Sequence, residues 1–395
     1  MTTTFAELGV SKNVIDALAS RNIEAPFHIQ SLVMEDALAG ADILASSRTG
    51  SGKTLAFAIP MVERINVKTG IAGLVLVPTR ELASQVSLEF ETICRAKNLR
   101  VCAVYGGVGL PAQAKRAARA HIIVATPGRL EDLCQQKLIS LANLEMLVLD
   151  EADRMLDMGF QPQIQAIVRR LPKDRQTMFF SATLDGDVGR LAASYTRDAK
   201  RHHVESKAQT VDEAEHRFIN VTSADKMQTL LKLLEEANQR RLVFVKTRRG
   251  ADRLAAKLAA HGIRSTAMHG DMTQGAREKA LAGFTKGRYD TLVATDVAAR
   301  GIDLDDITQV INFDPPEDHK AYIHRVGRTA RAGRTGVGIT FVTSEQQGDV
   351  SRIASILKLR EQYELAGLKV AAPRLAYTSG KGRNNMMRRR PRRGF

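Results

Sequence analysis

Short β-branched runs alternate with longer stretches of helical periodicity along most of the chain, a rhythm that predicts βαβ units and parallel sheets. Six buried-strand candidates stand in the first half, at residues 42–47, 73–77, 101–105, 121–125, 146–150 and 176–181. The second half repeats the pattern at residues 217–221, 242–246, 265–268, 291–295, 309–313 and 338–342. Between the two sets, residues 205–215 are polar and lack apolar periodicity, which predicts a linker. The expected fold is therefore α/β. It has an N-terminal domain over residues 1–204, the linker, a second domain over residues 216–365 and a tail over residues 366–395.

Composition agrees with two domains. The 395 residues exceed one ordinary domain, and 44% are hydrophobic, enough for two cores. The formal net charge of +15 points to a polyanion, either nucleic acid or an anionic membrane. No apolar run reaches the roughly 18 residues that span a bilayer. The first nine residues lack the basic and apolar segments of a secretory signal. Nucleic acid is thus the expected partner, and no membrane. Cys94, Cys102 and Cys134 lack metal-ligand spacing and suit free thiols in a reducing cytoplasm.

The charge is unevenly spread. After Glu364 there is no acid, and residues 369–395 hold nine Lys or Arg, so they supply +9 of the +15. Such a block cannot bury apolar surface and is expected to be disordered. Its clustered arginines suit RNA phosphates of any sequence.

The strongest local signal is Ser47-Arg48-Thr49-Gly50-Ser51-Gly52-Lys53-Thr54, between a predicted strand and a helical pattern. This is the setting of a P-loop, whose backbone N–H groups cradle phosphates at a helix N-terminus. Lys53 is expected on the β- and γ-phosphates and Thr54 on magnesium. Ser47 stands where the general pattern has its first Gly. A second signal is the apolar run Met146-Leu147-Val148-Leu149 closing in Asp150, followed by Glu151, Ala152 and Asp153. Three acids in four residues repel one another unless a cation neutralises part of the cluster. Asp150 is the expected magnesium ligand, and Glu151 the general base that activates the attacking water.

At Asp150-Glu151-Ala152-Asp153 the chain resembles the DEAD-box helicases, and it keeps that family's motifs in order from about Phe5 to Val342. The resemblance implies two tandem RecA-like domains and RNA-stimulated ATP hydrolysis. It assigns adenine to Gln30 and to the ring of Phe5. The usual Pro-Thr-Pro-x-Gln is altered here to Pro26-Phe27-His28-Ile29-Gln30. It assigns RNA contacts to Pro78, Thr79 and Arg80, to Gly106 and Gly107, and to Thr126 and Arg129. In the second half it adds Thr247, Arg277 and Thr295. Backbone amides, hydroxyls and arginines at such loops grip phosphate and ribose without reading bases. The resemblance further implies that Ser181 and Thr183, in Ser181-Ala182-Thr183, couple hydrolysis to strand separation by bonding to Asp153. Asp303 is assigned to the ATP ribose, Arg328 and Arg331 are the arginine fingers, and His324 is a partner of the DEAD acids. Ala330 replaces a frequent Gly.

The cofactors implied are ATP and Mg2+. The expected activity is local unwinding of short RNA duplexes, or remodelling of RNA–protein complexes, by ATP-driven closure of the two domains. The alternatives are an ATP-dependent RNA clamp with little turnover and a DNA helicase. Intact Glu151, Arg328 and Arg331 weigh against the clamp. The compact core resembles bacterial members. Factors of ribosome assembly or RNA decay are open as partners, and no oligomer is implied.

Overall fold

The fold is seen in a computed structural model that describes residues 3–47, 52–66, 70–184, 186–204, 214–235, 239–299, 307–330 and 335–369. Two sheets form, and every strand pairing in them is parallel. The first contains β1 (Ile43–Ser46), β2 (Gly73–Leu76), β3 (Val101–Val104), β4 (Ile122–Ala125), β5 (Met146–Asp150), β6 (Gln176–Ser181) and β7 (Lys200–His203). Their order is β3-β4-β2-β5-β6-β1-β7. The second contains β8 (Ala214–Asn220), β9 (Arg241–Phe244), β10 (Ser265–Met268), β11 (Thr291–Ala294), β12 (Gln309–Asn312) and β13 (Gly336–Val342), in the order β10-β11-β9-β12-β13-β8.

The central strands are apolar at consecutive positions because helices cover both faces of each sheet. In the first sheet, Val75, Val124, Val148 and Phe180 enter one core, while Leu74, Ile123, Leu147 and Phe179 enter the other. Phe180 meets Phe57 of the helix Lys53–Arg64 edge to face at 5.2 Å. Burying one such ring stabilises by about 1.5–3 kcal/mol, so the P-loop helix is anchored by its apolar face. All strands point the same way, and the loops that follow them gather on one edge of each sheet, where α/β folds bind ligands.

Twelve strands lie where the periodicity predicts them, within a few residues. The thirteenth, β7, was not predicted. It reads Lys200-Arg201-His202-His203 and is almost entirely polar, because it is an edge strand held by backbone pairing to β1. The linker prediction needs one correction. Ala214 and Glu215 belong to β8, since they pair with Gly336 and Val337. The rest of the predicted linker, Arg48, Thr49, Gly50, Ser51, Asp303, Arg331 and the basic tail from residue 370 onward lie outside the described residues. Among the described residues, no helix is long and apolar enough to cross a membrane.

Candidate active site and RNA face

The cleft begins at the turn between β1 and the helix Lys53–Arg64. Gly52 caps that helix with φ at 81°, a left-handed conformation suited to glycine. A Cβ there would come within 2.7 Å of both Gln30 Nε2 and Phe27 Cδ2, so only glycine fits. Lys53 is buried and donates from Nζ to the Ser47 carbonyl at 2.8 Å. The ammonium is thereby held over the turn. Gln30 is fully buried and ties two loops together. Its Oε1 accepts the Phe27 N–H at 3.0 Å, and its Nε2 donates to the Gly52 carbonyl at 2.9 Å. One amide N–H and one oxygen lone pair are left over. His28 opens the helix His28–Ala39, where the family's second Pro would stand, and the Gln30 side chain supplies the cap.

The acids stand at the end of β5. Burial pushes the Asp150 carboxyl up to about 7. The Lys53 ammonium opposes that rise, and the charges of Glu151 and Asp153 add to it. Glu151 adopts a left-handed backbone, φ 51°, and its Oε2 accepts Arg154 Nη1 at 2.5 Å. Burial disfavours its ionised form, but the Arg154, Arg328 and Lys53 charges outweigh burial and hold the carboxyl below its ordinary range. The buried Ser181 Oγ accepts the backbone N–H of Asp153 at 3.3 Å. This joins the end of β6 to the DEAD residues through the main chain rather than through the Asp153 carboxylate. Thr183 is exposed.

Arg328 comes from the second sheet's side, after the helix His319–Val326, and its Nε donates to the His324 carbonyl at 3.2 Å. It lines one cavity of about 470 Å³ together with Phe27, Gln30, Lys53, Thr54 and Asp150. The first sheet's phosphate and acid groups therefore share a cleft with a guanidinium from the second. Ala330 has φ 53°. That left-handed geometry explains why glycine suits this position better.

Phe5 requires a correction. Its ring is 2% exposed within the core of the first domain and does not line the cleft. An apolar ring beside Leu8 and Val10 gains more from burial than from an open pocket. The aromatic at the cleft is Phe27, which is 60% exposed. The family pattern drew attention to Phe5 instead. Arg154 was also missed, although its place three residues after Glu151, on the same short helix, was the available signal.

The expected RNA residues gather on the same edge. Thr79 caps the helix Arg80–Ala96 by accepting the Leu82 N–H at 3.3 Å. Pro78 and Thr126 are buried beside it, at the ends of β2 and β4. Gly107 has φ 86°, a left-handed conformation that favours glycine, and the Arg80 guanidinium lies against it and, less closely, against Gly106. Arg129 braces the same loop, donating to the Val108 carbonyl at 2.9 Å and to Gln113 Oε1 at 3.0 Å. Thr247 caps the helix Arg248–Ala260 by accepting the Gly250 N–H at 3.0 Å. Thr295 is buried at the end of β11. Arg277 departs from expectation. Its guanidinium is buried and paired with Glu81 of the first domain at 2.9 Å, because a desolvated cation takes a carboxylate. It is committed to protein rather than presented to phosphate.

Comparison with known proteins agrees with this geometry. Residues 27–191 match the DEAD/DEAH box helicase family, and residues 225–333 match the helicase conserved C-terminal domain. The chain is 40% identical over 359 residues to the DEAD-box ATP-dependent RNA helicase CshA of Geobacillus kaustophilus, covering 90% of this chain and 77% of that one. To the CshA of Bacillus subtilis it is 38% identical over 361 residues, covering 91% and 73%. Among solved structures it resembles S. cerevisiae Dbp5 bound to RNA and ADP BeF3, with a TM-score of 0.79 and 30% identity, covering 92% of this chain and 93% of that one. It also resembles Mss116p bound to ssRNA and AMP-PNP, with a TM-score of 0.80 and 25% identity, covering 94% and 79%. With two parallel sheets of the tandem RecA-like kind and this motif series, the chain belongs to the DEAD-box family of ATP-dependent RNA helicases.

Proposed function

We propose that this enzyme unwinds short RNA duplexes locally, or remodels RNA–protein complexes, through ATP-driven closure of its two domains. The observation that carries this reading is the position of Arg328. It shares one cleft with Lys53 and Asp150, although it comes from the other domain. In this reading the domains span residues 1–204 and about 214–365.

The residues fit ATP. The spare N–H and lone pair of Gln30 match the N7 acceptor and N6 donor of adenine, and Phe27 offers a ring beside it. Lys53 binds the β- and γ-phosphates. Residues 48–51 and Asp303, expected on the phosphates and the ribose, complete the set on sequence grounds. The donors also fit Mg2+. Asp150 is a buried carboxylate at a strand end, and Thr54 lines the same cavity. No described group of three His, Cys, Asp or Glu would hold a metal unaided, which suits a cation that takes one or two carboxylates and the substrate's own phosphates. When bound, it neutralises phosphate charge.

Glu151 takes the proton of the attacking water. Arg328 and Arg331 stabilise charge on the γ-phosphate, and only when the domains meet. Arginine fingers contribute about 10³–10⁵ in rate in related phosphoryl transfers. RNA lies across Pro78, Thr79, Arg80, Gly106, Gly107, Thr126 and Arg129 of one domain and Thr247 and Thr295 of the other. ATP and RNA each favour closure, so each favours the other's binding. Ser181, through Asp153, passes the state of the acids to β6. His324 is the partner of the DEAD acids, and its main-chain carbonyl accepts Arg328 Nε. Three free cysteines, with burial pushing the Cys94 thiol up to about 12, suit a reducing compartment such as the cytoplasm.

The test is an ATPase and strand-displacement assay on a short RNA duplex. Lys53→Ala is expected to lose RNA-stimulated hydrolysis. Glu151→Gln is expected to bind ATP and RNA, to stop turning over and to trap a long-lived RNA complex. Wild-type turnover by either variant would overturn the assignment. Equal stimulation by matched DNA would favour a DNA helicase, and ATP binding with negligible turnover by the native chain would favour a clamp.

A further inference from the structure

The first domain carries a second polar cavity on the edge opposite the nucleotide cleft. It lies where the chain enters β6 and β7, whereas Lys53 and Asp150 sit beyond the carboxyl ends of their strands. β6 has six residues, so about 17 Å of strand separates the two edges. The cavity measures about 630 Å³ and is lined by Arg169, Lys173, Arg175 and Arg197 around a half-buried Tyr195, with no acid in its wall.

Main-chain carbonyls hold two of these cations in place. Arg175 Nη1 donates to the Pro172 carbonyl at 2.6 Å, and Arg197 Nη2 donates to the Lys173 carbonyl at 3.0 Å. Asp42, the buried acid whose charge Arg175 feels, is occupied by the main chain. It accepts the Thr177 N–H at 2.6 Å and the Arg197 N–H at 2.7 Å. Asp174 and Asp198 are exposed in the same loops but outside the cavity wall. Among the described residues, none of the four cations forms an ion pair, and Arg175 Nε is buried without a partner. Burial lowers the Arg175 pKa. Asp42 works against that fall, and the neighbouring Arg197 adds to it.

Arg169, Lys173 and Arg197 are exposed and Arg175 is half-buried, so water screens part of their repulsion and an anion seated among them would relieve the rest. Guanidinium forks match phosphate oxygens, two bonds at a time. Tyr195 is backed by the buried Phe179, with ring centroids 6.5 Å apart and planes 27° apart, and so offers a fixed ring beside the charges. Rings so placed among cations accept stacked bases.

We propose that this cavity is a second phosphate-binding site, on the base of the first domain, taking either the phosphodiester backbone of RNA flanking the interdomain groove or the phosphates of a free nucleotide. The RNA source rests on the helicase reading; the free-phosphate source does not.

The experiment compares the full chain with its Arg169→Gln/Lys173→Gln/Arg197→Gln variant, using single-stranded RNA and inorganic pyrophosphate as probes. RNA affinity is titrated at several salt concentrations. Pyrophosphate is read by thermal shift, with Lys53→Ala added to both proteins to silence the P-loop. For an RNA backbone site, the salt slope of RNA binding becomes shallower by about 2, at roughly 0.7 per phosphate bound, while pyrophosphate stabilisation is unchanged. For a free phosphorylated ligand, pyrophosphate stabilisation disappears and the RNA slope stays. A folded variant with both readouts unchanged overturns the proposal. Should the triple variant lose its fold, the exposed single change Arg169→Gln carries the same comparison, with a slope change of about 0.7. ATPase at saturating RNA, without the Lys53 change, should be unaltered. Its loss in the native chain would instead count against the helicase reading.

Discussion

The Glu81 carboxylate and the Arg277 guanidinium meet at 2.9 Å across the two domains, with side chains only 6% and 9% exposed. Glu81 lies in the first turn of the helix Arg80–Ala96, one residue from Arg80, and Arg277 lies on the helix Gln274–Thr285. The pair is buried where the two domains touch. Removing one partner of a buried pair costs about 3–5 kcal/mol, and here that cost falls on closure, because an open cleft returns the lone charge to water. Glu81→Ala and Arg277→Ala should each raise the RNA concentration for half-maximal ATPase about a hundredfold or more, at about 1.4 kcal/mol per tenfold, with domain stability little changed. The double variant should be no worse than either single one. A double-mutant cycle on this concentration checks it, and additive effects would show that the pair is not coupled.

Arg154 should act on catalysis without touching ATP. Its Nη1 holds Glu151 at 2.5 Å, on a residue whose backbone is already in the left-handed region. A charge-assisted bond of this kind contributes about 1.5–3 kcal/mol. Arg154→Gln should lower kcat roughly tenfold, with the KM for ATP little changed, and Arg154→Lys should recover part of the loss. A KM effect alone would place Arg154 in nucleotide binding instead.

Arg328→Ala should depress turnover by about 10³, the lower end of what arginine fingers contribute. Nucleotide affinity measured without RNA should stay nearly intact, because Arg328 reaches the cleft from the second domain. Arg331→Ala should behave alike. Equilibrium binding of a fluorescent ATP analogue, set beside steady-state turnover, separates the two effects.

Glu63 gives a pH signature far from the site. Its carboxylate accepts the Ser11 N–H at 2.9 Å and the Ser11 hydroxyl at 2.6 Å, and pairs with Lys97 at 2.6 Å. Burial raises its pKa, but these bonds outweigh burial and hold it below its ordinary 4.5. The folded value is the depressed one. The contribution is therefore complete above about pH 4.5 and is lost as pH falls through the lower folded value. Glu63→Gln should lower Tm at pH 7, by about 1 kcal/mol in stability, and the gap to wild type should close in more acidic solution. A gap independent of pH would mean that packing, not charge, is lost.

Deleting residues 373–395 removes eight basic residues and no acids. All of the motif residues remain. The salt slope of RNA binding should become shallower by about 0.7 for each phosphate that is no longer neutralised, and half-maximal ATPase should need more RNA. The rate at saturating RNA should hold. A collapse of that saturated rate would assign the segment to the catalytic core.

Local chemistry was legible in the sequence wherever neighbouring residues decide it. Apolar runs name the strands of a sheet covered on both faces. Gly52-Lys53-Thr54 after β1, and Asp150-Glu151 at the end of β5, announce phosphate and cation chemistry by spacing alone. Topology then follows, because parallel strands need crossovers, and crossovers bring every functional loop to one edge. The rest was settled by contacts between residues distant in the chain. Lys200-Arg201-His202-His203 has no apolar run to mark it as a strand and becomes β7, since backbone pairing at an edge asks nothing of side chains. Phe5 reads as an adenine-stacking ring and is core, while Phe27 takes the open place at the cleft. Arg277 reads as an RNA ligand and is claimed by Glu81, 196 positions away in the chain. Spacing fixes what a residue is able to do, but the partner a charge or ring finally meets depends on which surfaces the fold desolvates together.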